Sequence, residues 1–505
     1  MKKLFYLMVS LSLASCAYHD IPGNDLVRTY VAAFNETDSE TYVNTIPNAE
    51  AAQFLIDNIP VFECPDKELE RTYYFRWWTY RKHVRKTDSG YVITEFLPDV
   101  GWAGKYNTIS CAASHHTYEG RWLRNSTYLS DYLRFWMTPD ASPRSYSFPA
   151  ADAVWNFYQV HPDKRLIQDL YPLLENNLKA WDDHLDENGL YWQTDNRDGM
   201  EESVSGKLGE GCSGYRVTIN SYAYADAKAL SHMAAELGLQ GESTAWNQRA
   251  DEIMNRMNDV LWDAEAGFYK VLPRGMDKLS DARELHGYVP WMYSIPDESK
   301  GEAWSLLFDT LGFASPFGPT TVERSHPGFS LTREGHDCKW NGPSWPFATS
   351  QTLMGMADCL RRFGERFFTK EQYLDQLITY SNSHRMGSRC FIDENLDPFT
   401  GEWIARSHLL AWEREGVRKI KYRERGKDYN HSTFCDLVIA GLCGFVPQAD
   451  GSLVVKPLAP AGWDWWCVDG IRYRGHDVTI LFDRDGTRYN RGKGLVTLVD
   501  GERSN

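Results

Sequence analysis

Carboxylate side chains crowd into one short segment near the middle of the sequence. Four of them fall within eight residues, at Asp195, Asp198, Glu201 and Glu202. A carboxyl group that is buried or crowded by other carboxylates has a raised pKa, so it can donate a proton near neutral pH. This segment is therefore a candidate source of a general acid. Its composition is equally typical of a solvated acidic loop or of a calcium-binding loop.

A second acidic turn lies near residue 400. Residues 393–403 read Asp-Glu-Asn-Leu-Asp-Pro-Phe-Thr-Gly-Glu-Trp, and taken alone they are an ordinary loop beside an aromatic residue. Two separate acidic loops on one scaffold suggest a pair of carboxylates that face each other across a cleft. Glycoside hydrolysis needs such a pair: one acid protonates the leaving oxygen, and one base activates water or attacks the sugar. Spacing in the sequence does not give the distance between the loops, so the pair is a hypothesis.

Two tryptophans lie close together between these acidic segments. Residues 340–346 read Trp-Asn-Gly-Pro-Ser-Trp-Pro, and Pro346 suits the first turn of the helix that follows. Glycine and proline make this segment rigid, so the two indole rings form a wall. Such a wall serves either as a platform for a sugar ring or as ordinary core packing.

The segments that must position these loops are amphipathic helices. Leu166, Leu170, Leu174 and Leu178 recur every four residues and predict one apolar helix face. Similar patterns predict further helices near 51–58, 67–84, 107–123, 127–137, 219–237, 250–261, 299–311, 353–363, 370–384 and 434–442. More than ten helices joined by loops rich in Gly, Pro and Asp favour a mainly α fold, with the helices paired in a toroid.

The chain changes character after Gly444. Residues 452–455, 478–482 and 495–499 are rich in β-forming side chains and end in turns, which predicts a small β appendage. We therefore expect four regions along the chain: a leader over 1–16, an N-terminal arm over 17–65, a helical catalytic barrel over 66–447 and a β-rich region over 448–505.

Charge and composition exclude several classes of protein. Lys and Arg number 54 against 69 Asp and Glu, for a net charge of −15 over 505 residues, and an acidic chain without a basic stretch is a poor partner for nucleic acid. Hydrophobic residues at 42% exclude a disordered chain and a protein with many membrane spans. Aromatic residues at 14% indicate either a large aromatic core or a sugar-binding cleft. No Cys/His cluster has the spacing of zinc ligands, so we expect neither a metal nor another cofactor.

The first sixteen residues, MKKLFYLMVSLSLASC, have the pattern of an export signal. Lys2 and Lys3 precede an apolar stretch that is too short to span a membrane as a helix. The sequence Leu-Ala-Ser-Cys at 13–16 resembles a bacterial lipobox, in which the cysteine becomes the lipidated first residue. We therefore predict an exported lipoprotein of the cell envelope, anchored through Cys16 on the periplasmic or the cell-surface side. Secretion with a coincidental cysteine is the alternative.

In their order along a helical chain, the three motifs resemble those of the (α/α)6-barrel glycosidases of glycoside hydrolase family 63 and the related mannosylglycerate hydrolases and trehalases. Asp198-Gly199-Met200-Glu201 resembles the family's Ser-Gly-Met-Asp loop, which carries the general acid. Residues 340–346 fit the family's Trp-x-Gly-Pro-x-Trp-Pro segment. Residues 394–401 have the spacing of its Glu-x-x-x-Pro-x-Thr-Gly turn, which begins with the general base.

The resemblance implies an (α/α)6 barrel and assigns roles to individual residues. Glu201 corresponds to the acid and Glu394 to the base, while Asp198 and Glu202 stay as rival acids because the family has Asp where this chain has Glu201. Relatives also contact sugar in segments that correspond to 75–82 and 101–107, where basic residues in this chain suggest an acidic or modified sugar. The implied substrate-binding residues are Arg76, Trp77, Trp102, Lys105, Tyr106, Trp340 and Trp345.

By this resemblance the chain is a glycoside hydrolase that inverts the anomeric centre and acts from the chain end on an α-linked oligosaccharide or glycoside. An inverting pair of carboxyl groups stands about 6.5–9.5 Å apart to admit a water molecule. Two other classes stay open: a polysaccharide lyase built on a helical toroid, and a glycan-binding lipoprotein without catalytic activity.

Overall fold

Helices dominate the chain, as the apolar periodicity predicts. The computed structural model describes residues 21–332, 338–416 and 424–504. The helices in chain order are α1 (Asn24–Thr37), α2 (Asn48–Asn58), α3 (Lys67–Lys82), α4 (Ala113–Gly120), α5 (Thr127–Phe135), α6 (Ala150–Val160), α7 (Lys164–Ala180), α8 (Val217–Glu236), α9 (Gln240–Val260), α10 (Val289–Met292), α11 (Ser305–Phe308), α12 (Pro346–Phe363), α13 (Lys370–Ser383), α14 (Ile404–Glu415) and α15 (Phe434–Asp436). The last of them continues as a π-helix over Leu437–Leu442.

Two of the predicted helices differ clearly from the structure: the one expected over 299–311 is a 3-10 helix over Glu298–Trp304 followed by the short α11, and another begins late. The helix expected over 107–123 begins only at Ala113, after a short 3-10 turn. Asn107 causes the delay, because its side-chain amide donates hydrogen bonds to the carbonyl groups of Phe96 and Pro98, both at 3.0 Å. The residues before Ala113 thus begin as a loop held by these hydrogen bonds instead of a helical turn.

Successive helices pack against each other in a regular order. Helix α4 contacts α6, α6 contacts α8, α8 contacts α10, and α10 contacts α12. The π-helical continuation of α15 then contacts α12, while α15 itself contacts α4, so that this succession of contacts returns to the helix at which it starts. Helices α3, α7, α9 and α13 pack against members of this series.

Much of the aromatic content lies in the core. Helix α3 alone buries Tyr73, Tyr74, Trp77 and Tyr80 completely. Its N-terminus is capped by Asp66, whose side chain accepts hydrogen bonds from the backbone of the first turn. An aromatic core therefore accounts for a large part of the unusual composition.

The C-terminal region forms strands, as predicted. The strands of the chain are β1 (Val61–Glu63), β2 (Val84–Thr87), β3 (Gly90–Ile93), β4 (Gln193–Thr194), β5 (Ser213–Tyr215), β6 (Trp262–Asp263), β7 (Phe268–Tyr269), β8 (Leu272–Pro273), β9 (Arg385–Met386), β10 (Arg389–Cys390), β11 (Phe445–Val446), β12 (Val454–Val455), β13 (Trp465–Tyr473), β14 (His476–Asp483), β15 (Gly494–Val499) and β16 (Glu502–Arg503).

The largest sheet pairs one early strand with four C-terminal strands. It is antiparallel with the order β1-β13-β14-β15-β16, and Val61 pairs with Asp469 in its register. Strand β1 thus comes from the segment predicted as an N-terminal arm. The predicted boundaries of the four regions stay predictions.

The predicted leader lies outside the described residues. This includes Cys16, the predicted site of lipidation. Within 21–332, 338–416 and 424–504, no helix has both the length and the apolar character needed to cross a membrane.

Candidate active site

All three predicted motifs contribute to the wall of one cavity. The cavity has a volume of about 290 Å³, and five of the predicted residues line it: Trp102, Glu201, Trp340, Trp345 and Glu394. Residues from distant parts of the sequence complete the lining, among them Glu95, Tyr146, Arg425, Tyr429 and His431.

The lining segments share a position relative to the helices. Cys111 lies just before α4, Tyr146 before α6, Trp345 before α12 and His431 before α15. The cavity is therefore built by the loops that lead into the N-terminal ends of helices in the packed series. Loops on a rigid helical scaffold are the usual carriers of catalytic groups.

Backbone hydrogen bonds tie the three motifs into one unit. The N–H of Trp340 donates to the carbonyl of Glu201 at 3.0 Å, which joins the first acidic segment to the tryptophan segment. Ser344 and Leu396 exchange two backbone hydrogen bonds of 2.9 and 3.0 Å, which join the tryptophan segment to the second acidic turn. The two acidic loops therefore hold fixed positions relative to each other.

The first acidic loop turns sharply at Gly199. This glycine has φ +72°, and a Cβ atom there would lie 2.4 Å from the sulfur of Cys111, so both the backbone conformation and the space require glycine. The N–H of Met200 returns to the carbonyl of Asp195 at 2.9 Å, and the Met200 side chain is completely buried. This turn leaves Glu201 at the cavity with a partly exposed side chain.

The three candidate acids of this loop have different surroundings. Asp198 is buried away from the cavity, and its Oδ2 lies 2.8 Å from Nε of Arg216 and accepts a hydrogen bond from the hydroxyl of Thr218. Glu202 is exposed and pairs with Lys207 at 3.3 Å. Glu201 is therefore the candidate that lines the cavity.

Glu394 enters the cavity from the second acidic turn. Its carboxylate is 2% exposed, and its Oε1 lies 3.2 Å from Nη2 of Arg425. The thiol of Cys338 donates to its Oε2 at 3.3 Å. The neighbouring Asp393 accepts a hydrogen bond from the N–H of Glu394 at 2.8 Å, and burial raises the pKa of Asp393 to about 7, with a further rise from the charge of Glu394.

Aromatic rings form one side of the cavity. The indole rings of Trp340 and Trp345 stack with their centroids 4.7 Å apart and their planes at 15°. The Trp345 indole N–H donates to the carbonyl of Lys339 at 2.8 Å, which fixes the ring. Trp102 is 51% exposed, and the guanidinium of Arg425 lies 5.7 Å from its ring centroid. The cavity thus offers both a fixed aromatic wall and a more accessible ring.

Five predicted site residues lie elsewhere, and we correct their placement here. Asp198 is in the buried ion pair described above. Arg76 and Trp77 are completely buried on α3, where Arg76 donates to Thr79 at 2.9 Å. Lys105 is exposed and pairs with Asp140 at 2.8 Å, and Tyr106 packs on Phe135. None of the five lines the cavity. The 75–82 segment is a core helix, and the side chains of Lys105 and Tyr106 make their contacts outside the cavity. We therefore do not place these residues at the substrate.

Several lining residues escaped the sequence-based prediction. Glu95 lines the cavity and is 4% exposed, and its signal in the sequence is a single carboxylate inside the apolar run 91–97. Arg425, Tyr429 and His431 precede α15 and were not predicted. Burial lowers the pKa of His431 well below its ordinary value, and nearby His115 and Arg76 lower it further, so His431 is neutral.

The described residues contain no group of three or more His, Cys, Asp and Glu side chains that could hold a metal ion. The expectation that the chain needs no cofactor stays a prediction. The described lining residues present carboxyl groups, a guanidinium, thiols, an imidazole, tyrosine hydroxyls and apolar aromatic rings.

Known proteins share both the helical body and the C-terminal region. The family model of the mannosylglycerate hydrolase MGH1-like glycoside hydrolase domain matches residues 105–432. The model of the C-terminal domain of glycosyl hydrolase family 65 matches residues 448–504. The first match includes Glu201, the tryptophan segment and Glu394.

Individual relatives match over different lengths. A solved structure described as a sialidase is 39% identical with a TM-score of 0.88, over 96% of this chain and 44% of that one. An uncharacterized protein of Borreliella burgdorferi is 26% identical over 46% of this chain and 47% of its own length. This chain therefore spans less than half of either relative. The GH63 mannosylglycerate hydrolase of Thermus thermophilus in complex with glucose is 15% identical, with a TM-score of 0.50 over 69% of this chain and 100% of that one, and it shares the fold.

Proposed function

The chain belongs to the family of mannosylglycerate hydrolase MGH1-like glycoside hydrolases, and from this premise we propose that it removes a terminal sugar from an α-linked glycoside with inversion of the anomeric carbon. Membership confirms the resemblance to family 63 glycosidases that the motifs predicted, and it supports glycoside hydrolase activity. Membership therefore favours a glycoside hydrolase over a polysaccharide lyase and over a non-catalytic glycan-binding protein. The observation that carries the finer proposal is that Glu201 and Glu394, from two separate loops, line the same cavity.

The proposed reaction is a single displacement. Glu201 gives its proton to the glycosidic oxygen as the bond between that oxygen and the anomeric carbon breaks. Glu394 takes a proton from a water molecule, whose oxygen forms the new bond to the anomeric carbon from the opposite face. The charge of Arg425 favours the ionised form of Glu394 before the proton arrives. The proton that Glu201 loses and the one that Glu394 gains are exchanged with solvent after the product leaves.

The size of the cavity supports action at a chain end. A volume of about 290 Å³ is at the lower end of the range for small-ligand sites, and it suits one sugar residue better than a bound polysaccharide. The stacked Trp340 and Trp345 rings offer an apolar wall to the C–H face of that sugar, and the accessible Trp102 ring offers a contact to the group that leaves.

We propose that the helical body is an (α/α)6 toroid. The support is the series of helix contacts that runs from α4 through α6, α8, α10 and α12 to α15 and back to α4. In such a toroid the loops at one end of the inner helices surround the cavity, in agreement with the position of the lining segments.

We further propose that the protein is exported and anchored by a lipid on Cys16, on the periplasmic or the cell-surface side of the envelope. The support is the sequence of residues 1–16, with its two lysines, apolar stretch and lipobox. Labelling of the expressed protein with a radioactive fatty acid tests this, and a Cys16→Ala variant that takes up the same label would contradict it.

The test of the activity is sugar release from a panel of glycosides. The panel contains α- and β-linked oligosaccharides, glycosides of uronic acids, mannosylglycerate and sialosides, the last two because of the proteins to which this chain is similar. We expect the parent protein to release a monosaccharide and Glu394→Gln to lose about 10²–10⁴-fold in kcat with an unchanged unfolding temperature. Nuclear magnetic resonance of the first product anomer gives the stereochemistry. Retained activity in Glu394→Gln, or a product of retained configuration, would contradict the mechanism.

A further inference from the structure

A third carboxyl group, Glu95, projects into the cavity that holds Glu201 and Glu394. It follows strand β3 in the loop that leads toward α4, and it is 4% exposed. The proposed displacement needs two carboxyl groups and leaves Glu95 without a part. A buried carboxyl group is costly unless it is bonded or neutral, so its presence at this position calls for a role.

The segment before α15 fixes one side of Glu95. The hydroxyl of Tyr429 donates to its Oε1, and the N–H of Asn430 donates to its backbone carbonyl at 3.2 Å. The side-chain amide of Asn430 also donates to the carbonyl of Thr94 at 3.3 Å. The other carboxyl oxygen, Oε2, is buried and has no hydrogen-bond partner among the described residues. A fixed carboxyl group at a cavity wall whose second oxygen has no partner among the described residues is able to bind a polar group of a ligand.

Burial and the neighbouring charges favour the neutral form of Glu95. Burial raises the pKa of Glu95 to about 8, the hydrogen bond from Tyr429 lowers it, and the charges of Glu394 and Glu201 raise it. Among the described lining residues Arg425 is the one cation, and it lies against Glu394. A neutral carboxyl group whose Oε1 already accepts a hydrogen bond carries its proton on Oε2, where it can donate and also accept.

We propose that Glu95 is a specificity-determining residue whose Oε2 binds one hydroxyl group of an uncharged sugar in the cavity. The proposal rests on the proposed glycosidase function and adds the substrate class to it. An acidic sugar would bring a further negative charge beside Glu394, and Arg425 is the one cation among the described lining residues to oppose it. The basic residues Arg76 and Lys105, which suggested an acidic sugar from the sequence, lie outside the cavity.

The chain offers a matched control for the substitution of Glu95. Asp152 is likewise buried and accepts a hydrogen bond from a tyrosine hydroxyl, that of Tyr118, at 2.9 Å. Burial raises the pKa of Asp152 to about 6. Asp152 lies on α6 and does not line the cavity, so Asp152→Asn removes the same kind of group without touching a bound sugar.

The test is calorimetric binding of free monosaccharides to the full chain with Glu394 intact, because a free monosaccharide has no glycosidic bond to hydrolyse. The set contains aldopentoses, aldohexoses, 6-deoxyhexoses and uronic acids, and each titration is repeated with Glu95→Ala, Glu95→Gln or Asp152→Asn added. We expect a neutral sugar to bind best and Glu95→Ala to weaken it about 10- to 100-fold, because a buried sugar hydroxyl is left unpaired. Glu95→Gln keeps the volume and one donor, so its loss is smaller, and Asp152→Asn leaves the affinity unchanged.

Deoxy derivatives of the best sugar identify the contact. For the derivative that lacks the contacted hydroxyl, Glu95→Ala has no further effect, whereas it weakens the other derivatives as it weakens the parent sugar. Unchanged affinity in Glu95→Ala, an equal loss with every deoxy derivative, or tightest binding of a uronic acid would overturn the proposal while sugar release by the parent protein keeps the glycosidase function. No binding and no sugar release by the protein with Glu95 intact would overturn both.

Discussion

Each acidic loop supplies the carboxylate of one buried carboxylate–arginine pair, and one of the two pairs reaches the cavity. Asp198 and Arg216 are 2.8 Å apart with side chains 0% and 1% exposed, and Glu394 and Arg425 are 3.2 Å apart with side chains 2% and 6% exposed. The burial of the two pairs is therefore nearly the same. The pairs differ in what borders them: Met200 packs against Arg216 in the interior, whereas the accessible ring of Trp102 lies beside Arg425. A buried ion pair is a candidate for a functional role when it shares a cavity with other reactive groups, and for a role in stabilising the fold when it does not.

The largest expected effect separates the two pairs by stability. Asp198→Asn leaves the guanidinium of Arg216 buried without its carboxylate, so we expect the free energy of unfolding to fall by about 3–5 kcal/mol. Glu394→Gln should lower it by less than about 1 kcal/mol, since water in the cavity can solvate Arg425. Denaturant unfolding of both variants measures the difference. Equal losses of stability in the two variants would contradict the distinction between a structural pair and a pair at the cavity.

A smaller effect separates the arginines by their influence on turnover. Arg425→Gln removes the cation beside Glu394, and a carboxylate without that neighbour keeps its proton to a higher pH. We therefore expect the acidic limb of the pH–rate profile to move upward by about 1 unit or more, with kcat about 10- to 100-fold lower below the optimum. Arg216→Gln is the matched control, and its folded fraction should keep the parent profile. An unshifted acidic limb in Arg425→Gln would show that the pair has no part in the reaction.

The smallest expected effect concerns the ring beside Arg425. Trp102 is half exposed, so Trp102→Leu should change the free energy of unfolding by no more than about 0.5 kcal/mol. The loss of its flat face should raise KM about 2- to 10-fold with little change in kcat. Trp102→Phe keeps an aromatic face and should retain most of the affinity. A change in kcat alone would assign Trp102 to the positioning of Arg425 instead of the sugar.

The sequence allowed the helices and the paired acidic loops to be predicted, because both leave local signals. Leu166 to Leu178 repeat on one face, and the turn at 394–401 has a specific spacing. The choice between Asp198 and Glu201 left no such signal. It depends on Arg216 and Thr218, which contact Asp198 only after the chain has folded back on itself.

Other parts of the site and fold depend on contacts that no local pattern encodes. Glu95 stands alone in an apolar run, where a search for clustered carboxylates passes over it. Arg76 was expected at the sugar because relatives contact sugar in the corresponding segment, yet in this chain that segment is buried in the core. Strand β13 escaped prediction since its register shifts between Val468 and Ile471, which breaks the alternation of apolar and polar side chains.

The pairing of β1 with β13 has a consequence for the synthesis of the protein. Residues 61–63 leave the ribosome several hundred residues before their partners at 467–469 exist, and α4 likewise waits for α15. Long-range contacts of this kind form late, and until then the strand edge and the apolar helix faces stay open to other chains. The body and its C-terminal sheet therefore reach their final form together, only after residues 467–469 have been synthesised, and the emerging chain is exposed to aggregation until that moment.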